Sequence, residues 1–229
     1  MKKDIRVIIP AFNEQNAVGL VVKEIPKDWV SEVIVVDNGS EDDTFLQAQN
    51  QGATALKEPR KGYGRACLKG MHHFAKSETK PDIVVFLDGD HSDYPEQLPE
   101  LLQPIVDDKA DLVIGSRALG KKEKGSMTPQ QVFGNWLATT LIRLIYKVSF
   151  TDLGPFRAIR YDSLMAINMQ DTNYGWTVEM QLKAARHQLR SIEVPVNYRR
   201  RIGVSKVSGT LKGTILAGIK IIYTIFKYL

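Results

Sequence analysis

The sequence predicts an α/β domain built on a mostly parallel sheet covered by helices. Three observations carry this reading. Short runs rich in Val and Ile alternate with segments whose apolar residues recur at helical spacing. The 229 residues suffice for one large domain with a proper core. Polar and charged residues stand at the ends of the apolar runs, as in "VIVVDNGS" and "VVFLDGD", where open parallel sheets bind ligands.

The elements follow in order. "IRVIIP" reads as a strand and "EQNAVGLVVKEI" as a helix. "SEVIVVD" is a strand, and "EDDTFLQAQNQG" is a helix closed by Gly52. "ATALKE" is a short strand and "GRACLKGMHHFAK" a helix. Then come the strand "DIVVFLD", the helix "PEQLPELLQPIVDD" and the strand "ADLVIGS". The second half is less regular. Residues 120–131, "GKKEKGSMTPQQ", read as a mobile loop. "VFGNWLATTLIRLIYKVSF" is a strongly apolar helix, assigned to the core, with a membrane interface as the second reading. "TDLGPFRAIR" leads into a helical stretch, and "NYGWTVEMQLKAARHQ" is helical after Gly175. "SIEVPVNYRRR" is a strand and "TLKGTILAGIKIIYTIFKYL" a helix. No repeat or low-complexity linker interrupts the chain. Residues 1–209 are expected to form the main domain, and 210–229 a C-terminal amphipathic helix.

Charge narrows the function classes. The net charge is +5, but seven Lys or Arg and no acid lie between Arg199 and Leu229. The preceding 198 residues carry 24 basic and 26 acidic side chains. The basic character belongs to the tail, which argues against a nucleic-acid-binding surface. A lone cysteine, Cys67, forms no intramolecular disulfide and fits a reducing compartment. "MKKDIRVIIPAFNE" reads as a first strand, not a signal peptide, because Asp4 and Arg6 break the apolar run. No stretch reaches the roughly 20 apolar residues of a spanning helix.

Three segments carry candidate chemistry. Asp88 and Asp90 flank Gly89 at the end of an apolar run. Side chains two apart on an extended chain point the same way, and two like charges repel unless a cation or proton joins them. One reading is a hard dication, Mg2+ or Mn2+, completed by water and a diphosphate. The other is a turn of solvated acids; Asp93 then caps the next helix, with Pro95 and Glu96 in its first turn. His91 is a further ligand candidate or a solvated side chain. Asp37 and Asn38 end the second strand, either to read a base or ribose or to form an Asx-turn with Gly39. "EPRKGYGRACLKG" places Arg60, Lys61, Gly62 and Arg65 at a helix start, a setting that attracts phosphate, or a flexible loop of solvated charges. Outside these segments, Arg117 is a solvated charge or a clamp for a diphosphate.

Together, "VIIPAFNE", "VIVVDNGSEDDT", "RKGYGRACLKGM", "FLDGDHSDYP", "VIGSRAL", "TDLGPFRAIR", "GWTVEM" and "EVPVNYRRRIGVSK" resemble family 2 glycosyltransferases of the GT-A fold, in the order that family shows. The branch they resemble is the dolichyl-phosphate mannose and glucose synthases and the bacterial polyprenyl-phosphate enzymes. The resemblance covers nearly the whole chain. It implies that Asp88 and Asp90 hold the metal, with Ser92 at the place of a third ligand in some relatives. Pro10, Ala11, Asn13, Glu14, Asp37 and Asn38 would line the nucleoside pocket, beside Lys61 and Gly62. Asn38 departs from the family's usual Asp. Arg117, Arg157 and Lys206 would face phosphates, and Trp176 and Glu179 would shape the sugar and acceptor side. The implied reaction is inverting hexose transfer from a nucleotide diphosphate sugar, of GDP-mannose or UDP-glucose type, to a polyprenyl phosphate.

The acceptor decides whether a base is needed. A phosphate monoester carries about −1.5 to −2 charge at pH 7 and attacks unaided. A hydroxyl of a glycan, protein or lipid needs a carboxylate within reach, and Asp152 and Glu179 are the candidates. A non-catalytic membrane-binding module is the alternative of another class. In the tail, apolar residues recur at 211, 215, 219, 222, 226 and 229, widened by Ile221 and Ile225, with Lys212, Lys220 and Lys227 to one side. That pattern suits a helix lying in a membrane interface, or docked on the protein's own core or a second copy. The expected location is the cytoplasmic face of a membrane.

Overall fold

Seven apolar segments pair into one sheet in the computed structural model, which describes residues 3–205 and 211–228. β1 (Ile5–Ala11), β2 (Glu32–Asp37), β3 (Thr54–Lys57) and β4 (Ile83–Phe86) run parallel. β5 (Leu112–Ser116) and β7 (Ser191–Pro195) run parallel to each other. Between the groups lies β6 (Arg157–Arg160), antiparallel to β4 and β5. The order is β3-β2-β1-β4-β6-β5-β7.

Helices cover both faces, so the central strands read as unbroken apolar runs. They are α1 (Val18–Glu24), α2 (Thr44–Asn50), α3 (Tyr63–Lys76), α4 (Leu98–Val106), α5 (Pro129–Tyr146), α6 (Tyr161–Ala166), α7 (Trp176–Arg186) and α8 (Leu211–Lys227). The pleat sends alternate residues to opposite faces. Ile8, Ile34, Val84 and Phe86 pack with Phe74 of α3, Ile142 of α5 and Val178 of α7. Val7, Ile9, Val35 and Val85 pack with Val18 of α1 and Leu101 of α4. At Gly70 a Cβ would meet the Ile8 side chain at 2.8 Å, so α3 crosses β1 in close contact.

Four local expectations change. "FRAIR" is a strand, and because β6 runs against its neighbours its first residue, Arg157, lies at the carboxyl edge of the parallel strands, opposite Phe86 and Ile114. The segment expected to be a mobile loop is stitched to the chain after β7. Glu123 N–H donates to Tyr198 O at 2.9 Å, and Arg200 N–H donates to Glu123 Oε2 at 2.9 Å. Thr128 then opens α5 with a capping box to Gln131. Asp93 caps nothing: Tyr94 precedes the 3-10 turn Pro95–Gln97, and Asp93 is buried. The apolar helix α5 is only half core. Ala138 and Ile142 are buried, but Phe133 and Trp136 are 60% and 58% exposed, and Val132 and Leu144 are exposed beside them.

The last helix has two faces. Ile215, Ile219, Ile222 and Phe226 are exposed as their spacing predicts, and Leu216 and Tyr223 join them. Ile221 and Ile225 turn inward instead of widening that face; Ile225 is fully buried. Lys220 does not point to solvent either, but pairs with Asp171 at 2.8 Å. α8 docks on α5 and α7. Tyr146 Oη donates to Ile225 O at 2.6 Å, and Tyr228 Oη donates to Glu179 Oε1 at 2.5 Å.

Glu179 is the anchor of that docking. It is fully buried and also accepts from Asp171 N–H at 2.6 Å, with Lys183 Nζ at 2.8 Å. Removing one partner of a buried pair leaves the other charge uncompensated. Glu179→Ala is expected to lower stability by about 3–5 kcal/mol in denaturant unfolding, and to speed amide exchange in α8. A loss under about 1 kcal/mol would show that the pair behaves as a surface contact.

Candidate active site

The carboxyl ends of β1, β2, β4 and β5 deliver their following residues to one rim, and a cavity of about 990 Å³ opens there. Its walls include Glu14, Asn38, Asp88, Asp90, Arg117 and Arg201. The chain leaves β4 one residue before Asp88 and turns at Gly89 and Asp90. Asp88 and Asp90 both line the cavity, so a turn, not a continued strand, brings them together.

The two acids are held differently. Asp90 Oδ1 accepts from Ser92 N–H at 2.9 Å and from Ser92 Oγ at 2.5 Å. Its Oδ2 receives the Arg201 guanidinium. Asp88 Oδ1 accepts from Tyr63 Oη at 3.0 Å. Burial, and then the charge of Asp90, push Asp88 up to about 6. Its carboxylate is therefore short of positive charge at neutral pH. Asp93, close to the pair, has no hydrogen-bond partner among the described residues on either carboxylate oxygen. Burial, with Asp88 and Asp90 nearby, pushes it well above the usual range. Among the described residues no cluster of three acidic, histidine or cysteine side chains converges on one point. The acidic pair suits a hard cation that takes its remaining oxygens from a diphosphate and water.

The cations have their own scaffolding. Asp152 is nearly inaccessible and holds Arg117 through Nε at 2.8 Å and Nη2 at 2.7 Å. Burial opposes the Arg117 charge, but Asp152 outweighs it and keeps the guanidinium above its ordinary range. Against the same burial, Arg117 keeps the Asp152 carboxyl low. The Tyr198 ring lies 5.0 Å from the Arg117 guanidinium carbon. Lys61 sits over the Phe12 ring at 4.6 Å on the same cavity wall. Gly62 follows with φ of 144°, and its N–H donates to Asn38 Oδ1 at 2.7 Å. Asn38 also donates to Glu58 O and Arg60 O at 3.0 and 2.9 Å. It braces the loop from Glu58 to Gly62, which occupies the amide expected to read a base.

Of the residues proposed from the sequence, Pro10, Ala11, Glu14, Asn38, Lys61, Gly62, Asp88, Asp90 and Arg117 line the cavity. Other expected residues do not. Asp37 is buried and accepts from Ser40 N–H at 3.0 Å, the turn reading of that segment. Asn13 Oδ1 accepts from Glu41 N–H at 2.9 Å, outside the wall. Arg157 is fully buried and donates to Thr177 O at 2.9 Å and to Gly154 O; it supports the floor and is not on the cavity wall. Trp176 is core, edge-on to Phe86 at 5.8 Å. Asp152 and Glu179 are committed to Arg117 and Lys183, so neither is placed as a base. His91 points to Glu24 at 2.9 Å, not to the acids. Arg60 pairs with Glu58, and Lys206 lies outside the described residues. Tyr63, Tyr198 and Arg201 were missed as site residues, although "KGYGR" and "NYRRR" contain them. Their signal was an aromatic or cation inside a motif, with nothing to single out one member.

Acids gathered at the carboxyl edge of an open mixed sheet covered by helices are the architecture of the GT-A fold. The chain belongs to glycosyl transferase family 2, whose family model matches residues 6–167. It is 34% identical over 215 residues to an uncharacterized glycosyltransferase of Mycobacterium bovis, covering 93% of this chain and 94% of that one. It is 32% identical over 225 residues to an undecaprenyl-phosphate mannosyltransferase of Micrococcus luteus, covering 93% and 90%. Among solved structures, it resembles glucosyl-3-phosphoglycerate synthase of Mycobacterium tuberculosis in complex with Mn2+, UDP and phosphoglyceric acid. That TM-score is 0.78 at 22% identity, over 99% of this chain and 78% of that one.

Repulsion at the acidic pair has a thermodynamic sign. A carboxyl whose folded pKa is raised opposes folding above that pKa and ceases to do so once protonated below it. Asp88→Asn should therefore stabilise the metal-free protein at pH 7 by about 1–3 kcal/mol, seen as a higher melting temperature. The gain should fade as pH falls through about 6. A destabilised variant at pH 7 would mean that Asp88 is not strained by its surroundings.

Proposed function

We propose that this enzyme transfers a hexose from a nucleotide diphosphate sugar to a polyprenyl phosphate at a membrane surface. One observation carries the proposal: a single cavity joins the acidic pair, a belt of cations and an apolar cleft between α5 and α8. A ligand with a charged head and a hydrocarbon chain matches that order of surfaces. The likeness to the mannosyltransferase of Micrococcus luteus supports the same acceptor class.

In this reading Asp88 and Asp90 would hold Mn2+ or Mg2+, with Tyr63 and Ser92 fixing one oxygen of each. When bound, the dication offsets the charge that builds on the departing diphosphate. Arg201 lies between Asp90 and Glu14 and pairs with both. Arg117, oriented by Asp152 and Tyr198, holds an anionic oxygen at the cavity wall. The acidic residues on that wall are Glu14, Asp88 and Asp90, while both carboxylates considered as bases are locked elsewhere. A phosphate acceptor needs no base, which favours it over a hydroxyl. Its oxygen attacks the anomeric carbon opposite the leaving diphosphate, so configuration inverts.

The membrane contact is the apolar surface of two helices, not one. Phe133, Trp136 and Leu144 of α5 and Ile219, Ile222 and Phe226 of α8 are exposed, and the two helices pack together. Exposed Arg143, Lys147 and Lys227 offer charge to anionic headgroups. No helix among the described residues is long and apolar enough to cross a membrane.

Two measurements check the proposal. A panel of UDP- and GDP-sugars with Mn2+ or Mg2+ should show transfer to a short polyprenyl phosphate and none to the matching prenyl alcohol. Transfer to the alcohol alone would overturn the acceptor. Trp136 emission should shift to the blue with anionic vesicles, and a Phe133→Ser/Trp136→Ser pair should weaken vesicle binding at least about tenfold. Unchanged binding would remove α5 from the membrane face.

A further inference from the structure

Two glycines in facing helices have no packing reason to be glycine. Glycine inside a helix costs about 1 kcal/mol relative to alanine. At Gly70 the close Ile8 side chain explains it. At Gly134 of α5 and Gly218 of α8, a Cβ would meet no atom of the described residues within 4 Å. Both helices have ample length on either side, and both glycines line the same cavity as Asp88 and Asp90. The open space above them is continuous with the site.

We propose that Gly134 and Gly218 set the width of a channel between α5 and α8 that takes the first isoprene units of the acceptor. This rests on the acceptor reading above. Phe133, Leu137, Ala217 and Ile221 give the channel apolar walls, and Leu153 lies on the same cavity. Arg117, Lys61 and Arg201 stand at its polar end, which fixes the direction of the ligand: phosphate toward the acids, chain toward the helices. The Lys220–Asp171 and Tyr228–Glu179 contacts hold α8 beside its neighbours, so the channel has a fixed second wall. α8 then has two tasks, one on each face. The outer face meets lipid, and the inner face receives a chain drawn from it.

Leucine at either position projects into the channel, and leucine is the better helix former. Gly134→Leu and Gly218→Leu are compared with the alanine variants and wild type. Two quantities are read: binding of a fluorescent farnesyl phosphate, and the ratio of kcat/KM for undecaprenyl phosphate over dimethylallyl phosphate. Nucleoside diphosphate binding with Mn2+ and the melting temperature report folding. The proposal predicts at least a tenfold fall in probe affinity and in the kcat/KM ratio for the leucine variants. The alanine variants should lie between them and wild type. Leucine variants that keep both values within twofold of wild type overturn the channel. A wild type that binds the probe in a Gly218-dependent way but transfers no sugar to any prenyl phosphate overturns the acceptor reading and leaves the channel standing. A wild type that neither binds nor transfers overturns both.

Discussion

Two carboxylates forced together at the end of the central sheet set the terms for everything around them. Asp88 and Asp90 are brought to one cavity wall by a turn at Gly89. Burial and mutual charge raise Asp88 to about 6. The molecule answers with positive charge: Arg201 lies on Asp90, and Arg117 is oriented nearby by a buried acid of its own. Such an arrangement is poor for stability and suits the dication proposed for this site. Local strain of this kind is a usual mark of a functional site.

The sheet order explains why the cations arrive from so many directions. β6 runs antiparallel between β4 and β5, so Arg157 enters the floor from the opposite chain direction. Its guanidinium satisfies backbone carbonyls of the turn that precedes it, at Gly154, and of Thr177 at the start of α7. A buried cation there braces the loop carrying Asp152, and Asp152 in turn orients Arg117. The series passes from a backbone support to a side chain at the cavity wall. Glu179 plays a similar part for α8, joining α7 and the C-terminal helix through Tyr228.

Much of this was legible in the sequence, and the misses share a cause. The alternation of β1 to β5 with α1 to α4 followed from period and punctuation, because those strands are buried on both faces. The acidic pair, Lys61 and Arg117 were candidates by their places at strand or helix ends, and only the family resemblance singled them out from solvated charges. β6 was obscured by charged residues at both its ends, a pattern that does not read as a buried strand. Arg157, Asp152, Glu179 and Trp176 lie in the motifs, yet they serve the scaffold behind the site. A motif marks a region that the site depends on. It does not say which members touch the ligand, because that depends on which way each side chain turns after the chain folds. α5 and α8 show the same limit. Their apolar residues were plain, but which of them face the core, the cavity or the outside depends on how the two helices pack.

The most direct test is an anomalous-scattering map of crystals grown with Mn2+ and a nucleoside diphosphate. One strong peak is expected at the Asp88 and Asp90 carboxylates, with the Arg201 guanidinium turned off Asp90. A bound nucleotide with Arg201 still on Asp90 and no scattering peak at the pair would contradict it.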